Sequence, residues 1–444
     1  LYANGGVFDL TPKKAHFQPK AKAVIQLFMN GGPSQVDLFD PKPMLNKLAG
    51  TAPSKELSFA ISNGDTPGVL MPSPFEFKKH GKSGMDISSA MPHLATCADD
   101  IAVIRSMYGE HANHEPALFL MHTGRTIASR PAIGSWVSYG LGTENRNLPA
   151  YVVLDDPKGL PINGISNWQS AWLPPIYQGT PIRSEGMPVL HLKPKENRAP
   201  QIDHARLDLL RNLNARHRQA HPGELELDAR IASFELAARM QLSATDALDI
   251  TGESEDTRRL YGLDKDTTRA YGKRCLMARR LVERGVRFVQ IFMAGQPWDT
   301  HSNNTAGVRK CCEQTDTPIA GLLTDMKQRG LLDSTLIQWG GEFGRTPGAQ
   351  LQDGKKNGSE GRDHHPYGFS VWLAGGGIRG GQAYGATDDF GYRAILNRTS
   401  MADLHATILH LLGINHESLT FPHNSRDERL TDVYKARLLH ELLA

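Results

Sequence analysis

The sequence predicts an α/β protein: a three-layer, mostly parallel sheet with helices on both faces. Three observations predict it. Apolar runs of strand length recur along the chain, at residues 23–29 (AVIQLFM), 286–293 (VRFVQIFM), 335–339 (TLIQW) and 369–374 (FSVWLA). They are continuous rather than alternating, as in strands covered on both faces. Helical patterns lie between the later runs, and strands alternating with helices favour a parallel sheet.

Taken in order, residues 1–20 are irregular. The run at 23–29 ends in Asn30-Gly31-Gly32-Pro33, a strong breaker. Short strands are expected at 101–104 (IAVI) and 151–154 (YVVL). The stretches 53–74 and 161–188, rich in Pro and Gly, read as surface loops. From about 204 to 284 apolar and charged residues recur at helical spacing, as in ARLDLLRNLNARH and LDARIASFELAARMQ. The last of these helices should stop at Gly285. Helices are expected again at 317–329 and at 404–412, the latter stopped by Gly413. There is no internal repeat. The organisation expected is one domain over 1–444 with a helical insertion at about 203–284.

Composition narrows the function classes. The net charge of +3 is too small for a nucleic-acid binder, and no Lys/Arg block forms a basic arm. No apolar run approaches the roughly 18 residues of a membrane span. Cys97, Cys275, Cys311 and Cys312 form no CxxC pair, which removes zinc-knuckle and redox motifs. Cys275, among apolar helix positions, reads as a core thiol. The chain begins at Leu1 without an initiator Met, as a processed N-terminus would.

In an open parallel sheet, ligands bind beyond the carboxyl ends of the strands. Asn30, Ser34 and Asp37 follow the first run, Trp298, Asp299 and His301 the second, and Glu342 and Arg345 the third. Arg362, Asp363, His364 and His365 precede the fourth. Asp299 and His301 are two apart, so an extended segment puts them on one side. The same parity pairs Asp363 with His365 and turns His364 away. Singly these histidines read as loop residues. As a set with Asp they suit zinc or a similar divalent ion. At 111–125 (HANHEPALFLMHTGR) a helix is expected to begin near Asn113 or His114, with Pro116 in its first turn. A helix start attracts anions, and His111 and His114 lie there. Arg105, Arg125, Arg345 and Arg362 are guanidinium candidates for a phosphate, sulfate or carboxylate.

Together MNGGPSQVDLFDPKP, CLMARRLVERGVRF, GGEFGRTP, GRDHHPYGF and DLHATILHLLGI resemble the sulfatase-like proteins of domain-of-unknown-function family 1501, from about Ala23 onward. The resemblance implies an alkaline phosphatase/sulfatase-like fold and export. In TLIQWGGEFG, Glu342 and Phe343 stand where the superfamily has an Asp-His metal pair. Asn30 stands for a metal-binding Asp after the first strand. HEPALFLMHTGR resembles the sulfatase signature, with His114 at the nucleophile position. WDTH and DHHPYGF resemble the segments of the other metal site, so Asp299, His301 and His364 or His365 (with Asp363 beside them) would hold the ion. The resemblance therefore implies a divalent metal, zinc first and manganese or calcium as alternatives. It also implies a small anionic ester, or a sulfated or phosphorylated glycan, as substrate. His114, Glu342 and, as a distant nucleophile candidate, Ser34 are the expected catalytic groups. Asn30, His111, Arg125, Arg345 and Arg362 are the expected substrate contacts. Two functions remain open: a metal-dependent ester hydrolase, or a degenerate relative that binds an anionic ligand, glycan or protein without turnover.

Overall fold

The computed structural model describes residues 9–53, 66–186, 200–221, 224–351 and 358–444. Parts of the expected irregular start (1–8) and of the expected loops at 53–74 and 161–188 (54–65 and 187–188) lie outside the described residues.

Eight strands form one sheet: β1 (Ala23–Phe28), β2 (Ile101–Met107), β3 (Tyr151–Leu154), β4 (Thr180–Ile182), β5 (Phe288–Ile291), β6 (Thr335–Gly340), β7 (Phe369–Ala374) and β8 (Gln382–Tyr384). Their order is β8-β2-β7-β6-β1-β5-β3-β4. All neighbours are parallel except β7, which runs antiparallel to both β2 and β6. The sheet is thus mostly parallel, as the apolar runs predict.

The continuous runs have a direct physical cause. In β1, Ile25 and Leu27 pack into the layer that holds Cys275, Leu276, Ile319 and Leu322. Val24 and Phe28 pack oppositely, against Leu118, Trp136 and Ile408. Successive side chains alternate faces, and both faces are covered. The first layer is built from α6 (Asp266–Glu283) and α7 (Asn304–Gln328), the second from α1 (His114–Thr123), α2 (Ile133–Leu141) and α8 (Met401–Leu411). Each fully buried Leu or Ile in these layers contributes on the order of 1.5–3 kcal/mol. Between β4 and β5 also lie α3 (Pro200–Ala220), α4 (Leu225–Leu248) and α5 (Glu255–Leu260). Gly285 (φ +87°) and Gly413 (φ +77°) follow α6 and α8 in the left-handed region, where glycine costs least. Ser400 and Asp403 form a capping box that starts α8.

One polar row interrupts the apolar sheet. Gln26 Nε2 donates to Gln338 Oε1 at 3.2 Å, Gln290 donates to Gln26, and Tyr151 donates to Gln290. These side chains are buried, and each satisfies the next. All four cysteines are free and buried; burial pushes the Cys311 thiol up to about 12 and holds Cys275 above its ordinary range. Cys275 is the core thiol its helical surroundings predict. Among the described residues, no helix is long and apolar enough to cross a membrane.

The reversed strand matters for the site. The parallel strands all end at one edge of the sheet. Because β7 runs the other way, the residues that precede it lie at that same edge.

Candidate metal centre

Four side chains converge at this edge: His114, Asp299, His301 and His364, each offering one ligand atom within 4.8 Å of the others. They come from three places in the fold. His114 opens α1 after β2, Asp299 and His301 follow β5, and His364 precedes β7.

The turn after β1 makes room for them. Gly31 and Gly32 have φ of +111° and +80°. A Cβ on Gly31 would sit 2.5 Å from Asp299 N, and one on Gly32 2.6 Å from the Phe343 ring. Only glycine fits such a conformation at such close approach.

His301 Nε2 and His364 Nε2 lie 2.8 Å apart, and each is 3.0 Å from Asp299 Oδ1. His114 stands at the other carboxylate oxygen, with Nε2 3.4 Å from Asp299 Oδ2. The outer nitrogens set the tautomers. His114 Nδ1 donates to Glu342 Oε1 at 2.6 Å, because a carboxylate only accepts. Glu342 is buried and also accepts from Gly31 N–H at 2.9 Å. His301 Nδ1 donates to Gln350 Oε1 at 2.5 Å. Both rings are therefore turned with Nε2 inward, the orientation a metal needs.

Electrostatics follow from the same contacts. Burial opposes charge on His114, but hydrogen bonds to Asp299 and Glu342 outweigh it and raise its pKa. Burial likewise opposes charge on His301, yet Asp299 and Gln350 raise it above its ordinary value. His364 is pushed down to about 4, by burial first and then by Arg345 and His114. Burial alone would raise the Asp299 carboxyl; three imidazoles and Arg345 instead hold it far below the usual carboxylate range. The donor set, two or three imidazoles with one carboxylate, is that of a zinc-type site. His364 Nδ1, the nitrogen turned away from the cluster, is buried with no hydrogen-bond partner among the described residues.

Arg345 braces this arrangement. Its fully buried guanidinium donates to Asp299 Oδ1 at 2.6 Å, to Gly32 O at 2.9 Å, to Arg362 O at 3.1 Å and to Gly31 O. The Phe343 ring packs on the imidazoles of His364 and His114, with centroids 4.6 and 4.9 Å away.

Several expectations from sequence need correcting. His365 does not join the cluster. Its Nε2 is hydrogen-bonded to Tyr392 O, its ring stacks on Tyr392, and burial pushes it to about 4. The residues Gly344–Arg345 and His364–His365 form a short antiparallel pair with Arg345 opposite His364. Cross-strand partners share a face, so His364 lies with Arg345 on the Asp299 side. Asp363 accepts from His364 N–H at 2.8 Å and lies 3.7 Å from His301 Nδ1, behind the inward nitrogens. Arg362 is not at the pocket surface: it is fully buried and forms a bidentate pair with Asp37 at 2.9 and 3.0 Å. Arg125 pairs with Asp432 at 2.9 Å, and Arg105 lies 3.9 Å from Asp86. His111 Nδ1 accepts from Asn113 N–H at 3.0 Å and so shapes the turn before α1. Asn113 is the N-cap residue, without a side-chain capping bond. Ser34 is buried at the start of the turn Gln35–Leu38, its Oγ without a partner among the described residues. Asn30 is buried; its Oδ1 accepts from Met293 N–H at 3.1 Å, and its Nδ2 has no partner among the described residues. Gln350 and Asp37, the partners of His301 and Arg362, received no site role from the sequence.

Fold and site define the class: a three-layer α/β protein whose His/Asp cluster, at the carboxyl edge of its sheet, is able to hold a metal ion. The sequence pattern of the family described as "Protein of unknown function (DUF1501)" matches residues 21–443, and the chain belongs to that family. No curated protein matches it. Among solved structures it is similar to PsFucS1 sulfatase from Pseudoalteromonas sp., with 13% identity and a TM-score of 0.35, over 90% of this chain and 69% of that one. Alkaline phosphatase from the Antarctic bacterium TAB5 has 11% identity and a TM-score of 0.34, over 89% and 99%. Lipoteichoic acid synthase LtaP from Listeria monocytogenes has 9% identity and a TM-score of 0.36, over 97% and 79%. At these scores the likeness carries no functional weight; the site itself does.

Proposed function

We propose that the protein is a metal-dependent hydrolase of phosphate or sulfate esters. The observation that supports this best is the convergence of His114, Asp299, His301 and His364 on one point. Asp299, His301 and His364 would hold a divalent ion, zinc by donor type, with manganese and calcium as alternatives. A bound ion would polarise the ester and stabilise charge on the leaving oxygen. The chain's own part centres on His114. Glu342 holds its Nδ1 proton, so Nε2 faces the substrate in an acid–base role. The buried Asn30 amide supplies a free N–H donor at the end of β1 for an ester oxygen. The sequence resemblance supports an exported protein acting on small anionic esters or on sulfated or phosphorylated glycans.

The test is elemental analysis of the purified protein, with assays on aryl phosphates and aryl sulfates before and after addition of zinc, manganese or calcium. Bound metal that disappears in Asp299→Ala, with metal-dependent turnover, is the expected result. Absence of both metal and turnover sinks the reading. One observation favours a second reading, an anion-binding protein without turnover: Arg345 already neutralises Asp299 at 2.6 Å. In that case the protein takes up no metal, yet still binds sulfate or phosphate.

A further inference from the structure

We propose that α3 (Pro200–Ala220) is an amphipathic surface anchor that lays the protein on a membrane containing anionic lipid. The proposal is independent of the hydrolase reading above.

A helix of 21 residues in a protein owes most of its stability to an apolar face packed on something else. Among the described residues of α3, none is buried. Leu207, Asn214 and Arg218 are half-buried, and they mark the edge turned toward α4. A cavity of about 180 Å³ at that seam is lined by Leu207, Leu210, Asn214, Phe234 and Ala238. The other large apolar side chains of α3 do not follow this edge. Ile202, Leu209 and Leu213 are spaced by seven and four, so they form one stripe, roughly 140° round the helix from the seam. They are 52%, 59% and 50% exposed. Leu210 and, on α4, Phe234 extend the exposed apolar surface toward the seam. A contiguous apolar patch of this kind marks a contact surface.

Charge indicates what it contacts. Arg206 and Arg216 are exposed and lie along opposite edges of the stripe. Asp208, the one acid among the described side chains of α3, lies away from the stripe and pairs with Arg211 at 3.0 Å. An apolar stripe edged by arginines suits the interface of a bilayer. The aliphatic stems run along the acyl boundary while the guanidinium groups reach the headgroup phosphates. A second copy of the chain fits worse. Antiparallel packing that sets Leu209 against Leu213 of the other copy also sets Arg206 against Arg216, and parallel packing sets each arginine against itself. Like charges meet either way, which disfavours the contact. The stripe is also a ridge outside the seam cavity, and a fluid surface needs no matching groove. The contact is peripheral, since no described helix is long and apolar enough to cross a membrane.

Flotation of the full chain with vesicles tests this, using phosphatidylcholine alone or mixed with phosphatidylglycerol at about two to one. The expected result is recovery with the anionic vesicles, little with phosphatidylcholine alone, and release at high salt. Leu209→Gln with Leu213→Gln should lower the partition coefficient about 10-fold or more, and so should Arg206→Gln with Arg216→Gln. Both double variants should keep the parent's circular dichroism and melting temperature, because the replaced side chains are exposed. No recovery with anionic vesicles overturns the proposal and leaves the stripe to a protein partner. Recovery that needs the arginines but not the leucines also overturns it, since charge alone then binds. A dimer seen by light scattering and dissolved by the leucine substitutions overturns it in favour of a second copy.

Discussion

Replacing Arg362 by methionine separates a structural arginine from a substrate-binding one. Arg362 and Asp37 are fully buried. The guanidinium makes two bonds to Asp37, at 2.9 and 3.0 Å, and also donates to Thr346 O at 3.1 Å, Met71 O at 3.0 Å and Pro72 O at 3.2 Å. Methionine fills much of the volume but supplies no donor. Asp37 would keep one amide partner, Asn304 Nδ2 at 2.9 Å, and its charge would be uncompensated. Breaking a buried pair from one side costs about 3–5 kcal/mol. Asp37→Asn removes the charge while keeping the shape. In the double variant the stranded carboxylate is gone, so its loss should fall short of the two single losses added together. Urea unfolding followed by circular dichroism measures all four proteins, and metal content checks the pocket. The expected result is a large loss of stability with metal still bound in the folded fraction. Native stability combined with lost anion binding would refute the reasoning and return Arg362 to the substrate.

Gln350→Leu removes the acceptor that turns His301 inward; metal affinity should fall about 10- to 100-fold, measured by competition with a chelator, with little change in melting temperature. Gly32→Ala places a Cβ 2.6 Å from the Phe343 ring at a φ of +80°; thermal melting should show clear destabilisation, and an unchanged melt would mean the turn is looser than described. Acid should destabilise the fold through His122 and His405, which burial pushes to about 3 and about 4. Both lie below the unfolded value of 6.5, so the unfolded chain takes up protons first. Their stabilisation is complete above that value and is lost as pH falls toward 4, by roughly 3 kcal/mol for His405 at about 1.4 kcal/mol per unit. Melting between pH 7 and 4.5 checks this, and His405→Gln should flatten the slope.

The sheet was legible because both its faces are buried. A run such as AVIQLF needs no partner to betray it, since every side chain enters one core or the other. The short edge strands Thr180–Ile182 and Gln382–Tyr384 carry no such run and went unread. At the site, Asp299, His301, His114 and Glu342 were legible because they cluster at strand ends and a helix start. The choice between His364 and His365 was not. Parity says only that neighbours point oppositely; which side holds the cluster depends on the pairing of Arg345 with His364. Arg362 misled for a similar reason. Its partner Asp37 is distant in sequence, and nothing local distinguishes a buried guanidinium from an exposed one.

The reversed strand β7 also sets a timetable. In the sheet, β2 reaches the body of the protein only through β7, which is made much later on the ribosome. The strand that leads to His114 therefore waits unpaired while Asp299 and His301 emerge, and His364 arrives last. Pairings this distant in sequence form slowly and leave strand edges open meanwhile. A nascent chain cannot bring His114, Asp299, His301 and His364 together until its final third is synthesised, so assembly of this cluster is coupled to completion of the fold.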